Sequence, residues 1–211
     1  MSVQEELKHI AEEVAQCELC ELHFSRKHAV PGEGPANATI MFIGEGPGFH
    51  ENEQGRPFVG AAGKFLEELL TKIGLSREQV FITNVVKCRP PGNRDPKPEE
   101  VDLCTKQFLE RQIQLINPSV IITLGRYSMG LYLPHAKISD VHGQALRIKG
   151  RMVVPMYHPA AALHQGSLKP VVEADFLRLR ELLTKNTPTM EEHALPTPIE
   201  PDQSATQLSL F

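Results

Sequence analysis

The chain has 211 residues, of which 41% are hydrophobic, and a net charge of −4, enough for one well-buried α/β domain and short for two. No apolar run approaches the ~20 residues that span a bilayer, and the amino terminus is polar and charged rather than signal-like, so a cytoplasmic protein without a membrane segment is expected. From Lys185 onward one Lys faces Glu191, Glu192, Glu200 and Asp202; the remainder is close to neutral, which leaves any contact with a polyanion to local patches.

Val3 to Gln16 predicts a helix with Leu7, Ile10 and Val14 as its buried stripe. It delivers Cys17-x2-Cys20, and Cys88 and Cys104 are the only other cysteines. Four cysteines in a cytosolic chain are poor disulfide candidates. A tight pair and two distant partners can converge in the fold, and their thiolates suit either zinc or an iron–sulfur cluster. Spacing alone does not choose between these metals. Four reduced core cysteines are the plainer alternative, against which stand the polar or Pro-rich segments flanking all four.

Thr39 to Ile43 is a short run of strand formers and predicts a buried strand. Ala61 to Ile73 predicts an amphipathic helix with Phe65, Leu66, Leu69, Leu70 and Ile73 on one face. Between them lies a long loop whose Gly44, Gly46 and Gly48 let a ligand approach the backbone. At the carboxyl end of a strand in an open α/β sheet such a loop is a binding element, and Glu45, His50, Glu51 and Phe58 would supply its polar and stacking groups. A phosphate cradle fits poorly, because the Lys-Ser/Thr ending of a P-loop and a full G-x-G-x-x-G are both missing. A plain surface loop is the remaining alternative.

Gly74 ends the helix and Ser76 caps a short turn. Val80 to Val86 predicts the second strand, with Asn84 at its carboxyl end. A Pro-rich extended segment follows, carrying Lys87, Arg89, Arg94 and Lys97. Glu99 to Ile116 predicts a long helix, Ser119 to Leu124 the third strand, and Arg126 to Leu133 a short helix. Gln144 to Ile148 and Met152 to Met156 flank Lys149-Gly150, as a hairpin or as two sequential strands; Arg147, Lys149 and Arg151 make this a second basic patch. The latter run leads into His158-Pro159, and Val171 to Thr184 predicts a closing helix. This order implies a mostly parallel sheet with helices on both faces, spanning residues 1–184. From Lys185 the Pro-, Thr- and Glu-rich composition predicts a disordered tail.

Three stretches carry a resemblance: GEGPG followed by Gly55-Arg56-Pro57-Phe58-Val59-Gly60, Asn84 within Phe81-Ile82-Thr83-Asn84-Val85-Val86-Lys87-Cys88-Arg89-Pro90-Pro91, and His158 within Met156-Tyr157-His158-Pro159-Ala160. In that order they resemble the active-site motifs of family 4 uracil-DNA glycosylases, the iron–sulfur branch of that superfamily. The resemblance implies a three-layer α/β/α sandwich and hydrolysis of the N-glycosidic bond of uracil flipped out of DNA. It implies a uracil pocket of Glu45, Gly46, Pro47, Phe58, Asn84 and His158. Catalytic roles would fall to Glu45, Glu51, Asn84 and His158, with Glu51 beside uracil C5. Lys87, Arg89 and Arg94 would hold phosphates, and Leu163 would fill the hole left by the flipped base. Cys17, Cys20, Cys88 and Cys104 would hold a structural 4Fe–4S cluster in a monomer. The alternative is a protein that captures uracil-DNA without turnover. A related branch traps DNA covalently through a His in a Lys-Arg-Arg-Ile-His loop, and the corresponding residues 87–97 contain no His, which favours turnover. At the end of the tail, Gln207-Leu208-Ser209-Leu210-Phe211 resembles the pentapeptide with which bacterial repair and replication proteins dock on the sliding clamp, and implies that partner.

Overall fold

The computed structural model describes residues 1–185; the predicted disordered tail and its terminal pentapeptide lie outside the described residues. The strands are β1 (Ile40–Gly44), β2 (Phe81–Asn84), β3 (Val120–Leu124), β4 (Leu146–Ile148) and β5 (Arg151–Met156). They form one sheet in the order β2-β1-β3-β5-β4, parallel except for β4, which pairs antiparallel with β5. The helices are α1 (Val3–Gln16), α2 (Phe49–Gln54), α3 (Ala61–Lys72), α4 (Pro98–Cys104), α5 (Glu110–Ile116), α6 (Arg126–Gly130), α7 (Ile138–Val141), α8 (Pro159–His164) and α9 (Lys169–Lys185).

Side chains alternate across each strand, so one apolar run feeds two cores. Ile40, Phe42, Val120, Ile122, Val154 and Met156 face a layer made by α3 and α9, with Leu66, Leu69 and Phe176. The rings of Phe42 and Phe176 stack there at 6.2 Å. Met41, Ile43, Ile121 and Val153 face the opposite layer, where Ile10 and Val14 of α1 meet Phe108 and Ile116. The sheet thus has helices on both faces, as the element order requires.

Three local features depart from the expected boundaries, and a fourth selects the hairpin from the two arrangements expected there. The long helix after the Pro-rich segment is interrupted by a π-helical turn at Thr105–Leu109, directly after Cys104. The second strand stops at Asn84, and the amides of Val85 and Val86 donate instead to Gly44 O and Glu45 O, each at 3.0 Å. That pins the chain after β2 alongside the glycine loop. The loop itself contains a helix, α2, whose start is fixed by Glu51. Lys149 and Gly150 both take positive φ (49° and 79°), the two-residue turn of a hairpin, and Ile148 pairs with Arg151 across it.

The sheet order places β1 beside both β2 and β3, so successive crossovers leave β1 in opposite directions. That is the switch point where open α/β sheets bind ligands, at the carboxyl ends of the strands.

Candidate active site

β1 ends at Gly44, β2 at Asn84 and β3 at Leu124-Gly125, and two residues beyond β5 comes His158. Parallel register delivers all of them to one edge of the sheet. Gly44 is required there by close approach: a Cβ on it would lie 2.3 Å from Asn84 Oδ1 and 2.7 Å from Phe58 Cζ. Gly125 has φ +90°, and a Cβ on it would lie 3.2 Å from the Cβ of His158. The Phe58 and His158 rings stack at 5.5 Å with 27° between their planes. The sequence-predicted Gly44 loop, Phe58, Asn84 and His158 therefore converge at the carboxyl edge of the sheet.

Asn84 is 1% exposed, yet its Oδ1 has no hydrogen-bond partner among the described residues. A buried acceptor without a donor costs about 1–3 kcal/mol. His158 is arranged as a donor. The Ala160 amide donates to its Nδ1 at 3.1 Å. Burial pushes its pKa down to about 4, with the Glu51 carboxylate pulling the other way. A neutral imidazole has one acceptor and one donor nitrogen, so with Nδ1 accepting, the proton sits on Nε2.

Phe58 is buried with a left-handed backbone (φ 52°), a strained state for an aromatic residue that its surroundings must hold. Arg77 supplies that hold. Its Nη1 donates to Phe58 O at 3.0 Å, and its Nη2 donates to Pro57 O. Arg77 is itself gripped by Glu33 at 2.5 Å, and Glu33 also takes Arg56 at 2.9 Å. Gly63 completes the seat, since a Cβ there would stand 1.9 Å from Phe58 O. Neither Arg77 nor Glu33 was found from sequence, because the contact between Arg77 and the Phe58 turn spans 19 positions. The one local signal was Gly63, a glycine in the first turn of a helix, where helix propensity disfavours it.

Glu51 acts as the organiser of the loop. One carboxylate oxygen accepts the amides of Val59 and Gly60, each at 2.8 Å, and the other accepts Gly48 N at 3.1 Å. Both oxygens are thus committed to backbone. Glu45 is half-buried beside Pro47, which is buried, and Gly46. Burial and the nearby Asp95 raise its carboxyl pKa above the ordinary range, while Arg126 opposes them.

The basic residues separate sharply. Lys87 does not reach a phosphate: it is 1% exposed. Its Nζ donates to Thr83 Oγ1 (2.7 Å), Asn84 O (2.8 Å) and Gln112 Oε1 (2.8 Å). Burial lowers its pKa to about 8. Position 87 lies in the buried bend that follows β2, and the Lys ammonium finds three oxygens there instead of water. Arg94 forms a bidentate pair with Glu100 at 2.7 and 2.9 Å. Arg89 donates to Asn93 Oδ1 at 2.7 Å. The patch of Arg147, Lys149 and Arg151 flanks the amino end of β5, the opposite edge of the sheet from the cleft. Leu163, in α8 after His158, is 48% exposed.

Cys17, Cys20, Cys88 and Cys104 line one small cavity, together with Val14, Leu22, His23, Arg26, Lys87, Leu103 and Phe108. α1 brings the first two, the β2 exit brings Cys88, and the end of α4 brings Cys104. Arg26 fastens the wall by donating to Ala15 O at 2.9 Å, to Cys17 O, and to Cys88 Sγ at 3.6 Å. Burial raises the Cys104 thiol to about 12 and also raises Cys88 and Cys20, so bound metal is what would favour the thiolates. No three His, Cys, Asp or Glu side chains among the described residues close to metal-binding geometry. The donor set nevertheless fits: four thiols from three segments surround one cavity with apolar walls, as a four-cysteine centre requires.

The mostly parallel sheet thus gathers an amide acceptor, an imidazole donor and an aromatic ring at its switch point. Residues 31–179 match the family model of the uracil DNA glycosylase superfamily. The Type-4 uracil-DNA glycosylase of Sulfurisphaera tokodaii is 47% identical over 188 residues, covering 83% of this chain and 84% of its own. That of Archaeoglobus fulgidus is 45% identical over 198 residues, covering 90% and 99%. That of Thermotoga maritima is 43% identical over 191 residues, covering 88% and 99%. The chain belongs to the type-4 family of the uracil DNA glycosylase superfamily. No helix among the described residues is long and apolar enough to cross a membrane.

Proposed function

We propose that this protein hydrolyses the N-glycosidic bond of uracil in DNA, releasing uracil and leaving an abasic site. The observation that carries the reading is the buried, unpartnered Oδ1 of Asn84 beside Phe58 and the donor Nε2 of His158. Uracil presents an N3–H that Oδ1 can accept, an O4 for the amide NH2, and an O2 for the imidazole. Phe58, locked by Arg77, offers its ring to the base.

As the glycosidic bond breaks, its electron pair moves onto uracil and an oxocarbenium-like sugar remains. His158, neutral at physiological pH, donates from Nε2 to O2 and stabilises that anion, an oxyanion-hole role. Glu45, with its raised pKa, takes the proton of the water that captures the sugar. Glu51 contributes by fixing Gly48, Val59 and Gly60 around the base.

The four cysteines would hold a 4Fe–4S cluster. When bound, it supplies a cross-link between α1, the β2 exit and α4. For DNA contact, Arg89 and Leu163 border the cleft, while Lys87 serves the interior. The terminal Gln207-Leu208-Ser209-Leu210-Phe211 would dock on a sliding clamp, with two leucines and a Phe filling an apolar pocket.

Incubation with a uracil-containing oligonucleotide tests the main reading. Free uracil and an alkali-labile strand are expected. A stable covalent adduct, or intact DNA, would overturn it.

A further inference from the structure

We infer that Phe49 and Arg89 form a clamp for the nucleotide next to the flipped uridine, the ring stacking on its base and the guanidinium holding a phosphate. This rests on the uracil-DNA reading above and extends it to the strand outside the pocket.

Among the exposed large apolar side chains, Phe49 (53%) and Leu163 (48%) stand on the segments that carry cleft residues. Phe49 lies between Gly48, whose amide Glu51 binds, and Glu51 itself. The loop bearing Phe49 abuts the loop bearing Arg89: a Cβ on Gly46 would meet Val86 at 2.7 Å and Pro90 at 3.9 Å. The two side chains complete that contact, with Arg89 Cζ 5.3 Å from the Phe49 ring centroid. His50 meets the same ring edge-on at 5.4 Å. The ring is therefore held in place and still half open to solvent. A fixed aromatic loses little freedom on binding, and base–aromatic stacking tolerates any sequence because every base has a π-face.

Charge points the same way. Around the cleft Arg94 is paired with Glu100, Arg126 with Asp95, Lys97 with Glu21, and both Arg56 and Arg77 with Glu33; Lys87 is buried. Arg89 has only the neutral Asn93 carbonyl as its side-chain partner. No carboxylate among the described residues cancels its charge; the same holds for Lys64 at the start of α3, but Arg89 is the one that lies on the Phe49 ring. An unneutralised guanidinium lying on an exposed ring is the pairing that single-strand binding sites use. A base delivered to the carboxyl edge of the sheet must leave its neighbour on this rim.

The test uses single-stranded oligonucleotides carrying 2′-fluoro-deoxyuridine, which resists hydrolysis, with 2-aminopurine as the base on either side of it. The wild-type protein should quench 2-aminopurine at one of the two neighbouring positions. Phe49→Ala should lose that quench and bind about 5- to 150-fold more weakly, the range of one base–aromatic stack, while Phe49→Tyr retains both. Arg89→Gln should weaken binding and flatten the salt dependence by about one counterion's slope, roughly 0.7 for a single strand. Wild-type affinity in Phe49→Ala, or no quench at either neighbour with the wild type, overturns the clamp. Both positions are at the surface, so the variants fold. If ordinary uracil DNA is cleaved and Phe49→Ala behaves as wild type, only the clamp fails; if wild type releases no uracil, the underlying reading fails.

Discussion

Replacing Asn84 with leucine should make the protein more stable and nearly inactive. The side chain is 1% exposed, its Oδ1 lacks a partner among the described residues, and the space around it is shaped by Gly44 and the edge of Phe58. Leucine keeps asparagine's branching at Cγ and brings no polar atom to be stranded. The unsatisfied acceptor costs about 1–3 kcal/mol, and an apolar isostere recovers part of it. For a domain of this size each kcal/mol moves Tm by about 2–4 °C, so a rise of a few degrees is expected. Lys87 still donates to the main-chain oxygen at position 84, which keeps the strand end in place. Excision should fall by about 10²- to 10³-fold, the scale of one lost transition-state donor or acceptor. Thermal unfolding and single-turnover release of uracil measure the two effects on one preparation. A lower Tm, or turnover within tenfold of wild type, would refute the reasoning that this atom is kept unpaired for a substrate.

The pKa of about 4 at His158 predicts no inflection near pH 6.5 in single-turnover rate, and any acid limb above pH 4.5 should vanish in Glu45→Gln, since Glu45 is the raised carboxyl. The same shift makes stability pH-dependent. The unfolded His binds a proton below about 6.5 while the folded one resists until about 4, so the His158 contribution to stability falls as pH drops through that window and is constant above it; a urea midpoint unchanged between pH 7 and pH 4 would contradict this. Arg77→Ala should cost about 1.5–3 kcal/mol through its charged bonds to the Phe58 turn and should weaken uracil excision as well, which denaturant titration and kinetics would separate. Purified protein should contain about four irons per chain if the cluster is 4Fe–4S; stripping the iron, or Cys88→Ala, should lower Tm markedly, and a colourless protein with stoichiometric zinc would refute the iron assignment. Deleting residues 207–211 should abolish binding to a purified sliding clamp while leaving excision from a short oligonucleotide unchanged, and equal clamp affinity with and without them would end that proposal.

Much of the architecture was legible in the residues because both faces of a parallel sheet are buried. Runs such as Ile40 to Ile43 and Val120 to Leu124 have no other stable home, and the amphipathic stripe of Ala61 to Ile73 names its own partner layer. Gly44, Asn84 and His158 could be placed at strand ends by counting along the chain, and parallel register then obliges strand ends to meet. What sequence could not decide was which polar groups face inward and what they hold. Lys87 reads as one more cation in a basic loop, but the buried bend after β2 folds it back into the core, where Thr83, Asn84 and Gln112 replace water. Glu51 reads as a wall against the base, yet three amides brought around by the 48–60 loop occupy its oxygens. The strain at Phe58, its restraint by Arg77 and Glu33, and the cavity shared by four cysteines arise from contacts between residues distant in the chain. Local pattern carries no record of such contacts, because they exist only after the sheet has fixed where its loops go.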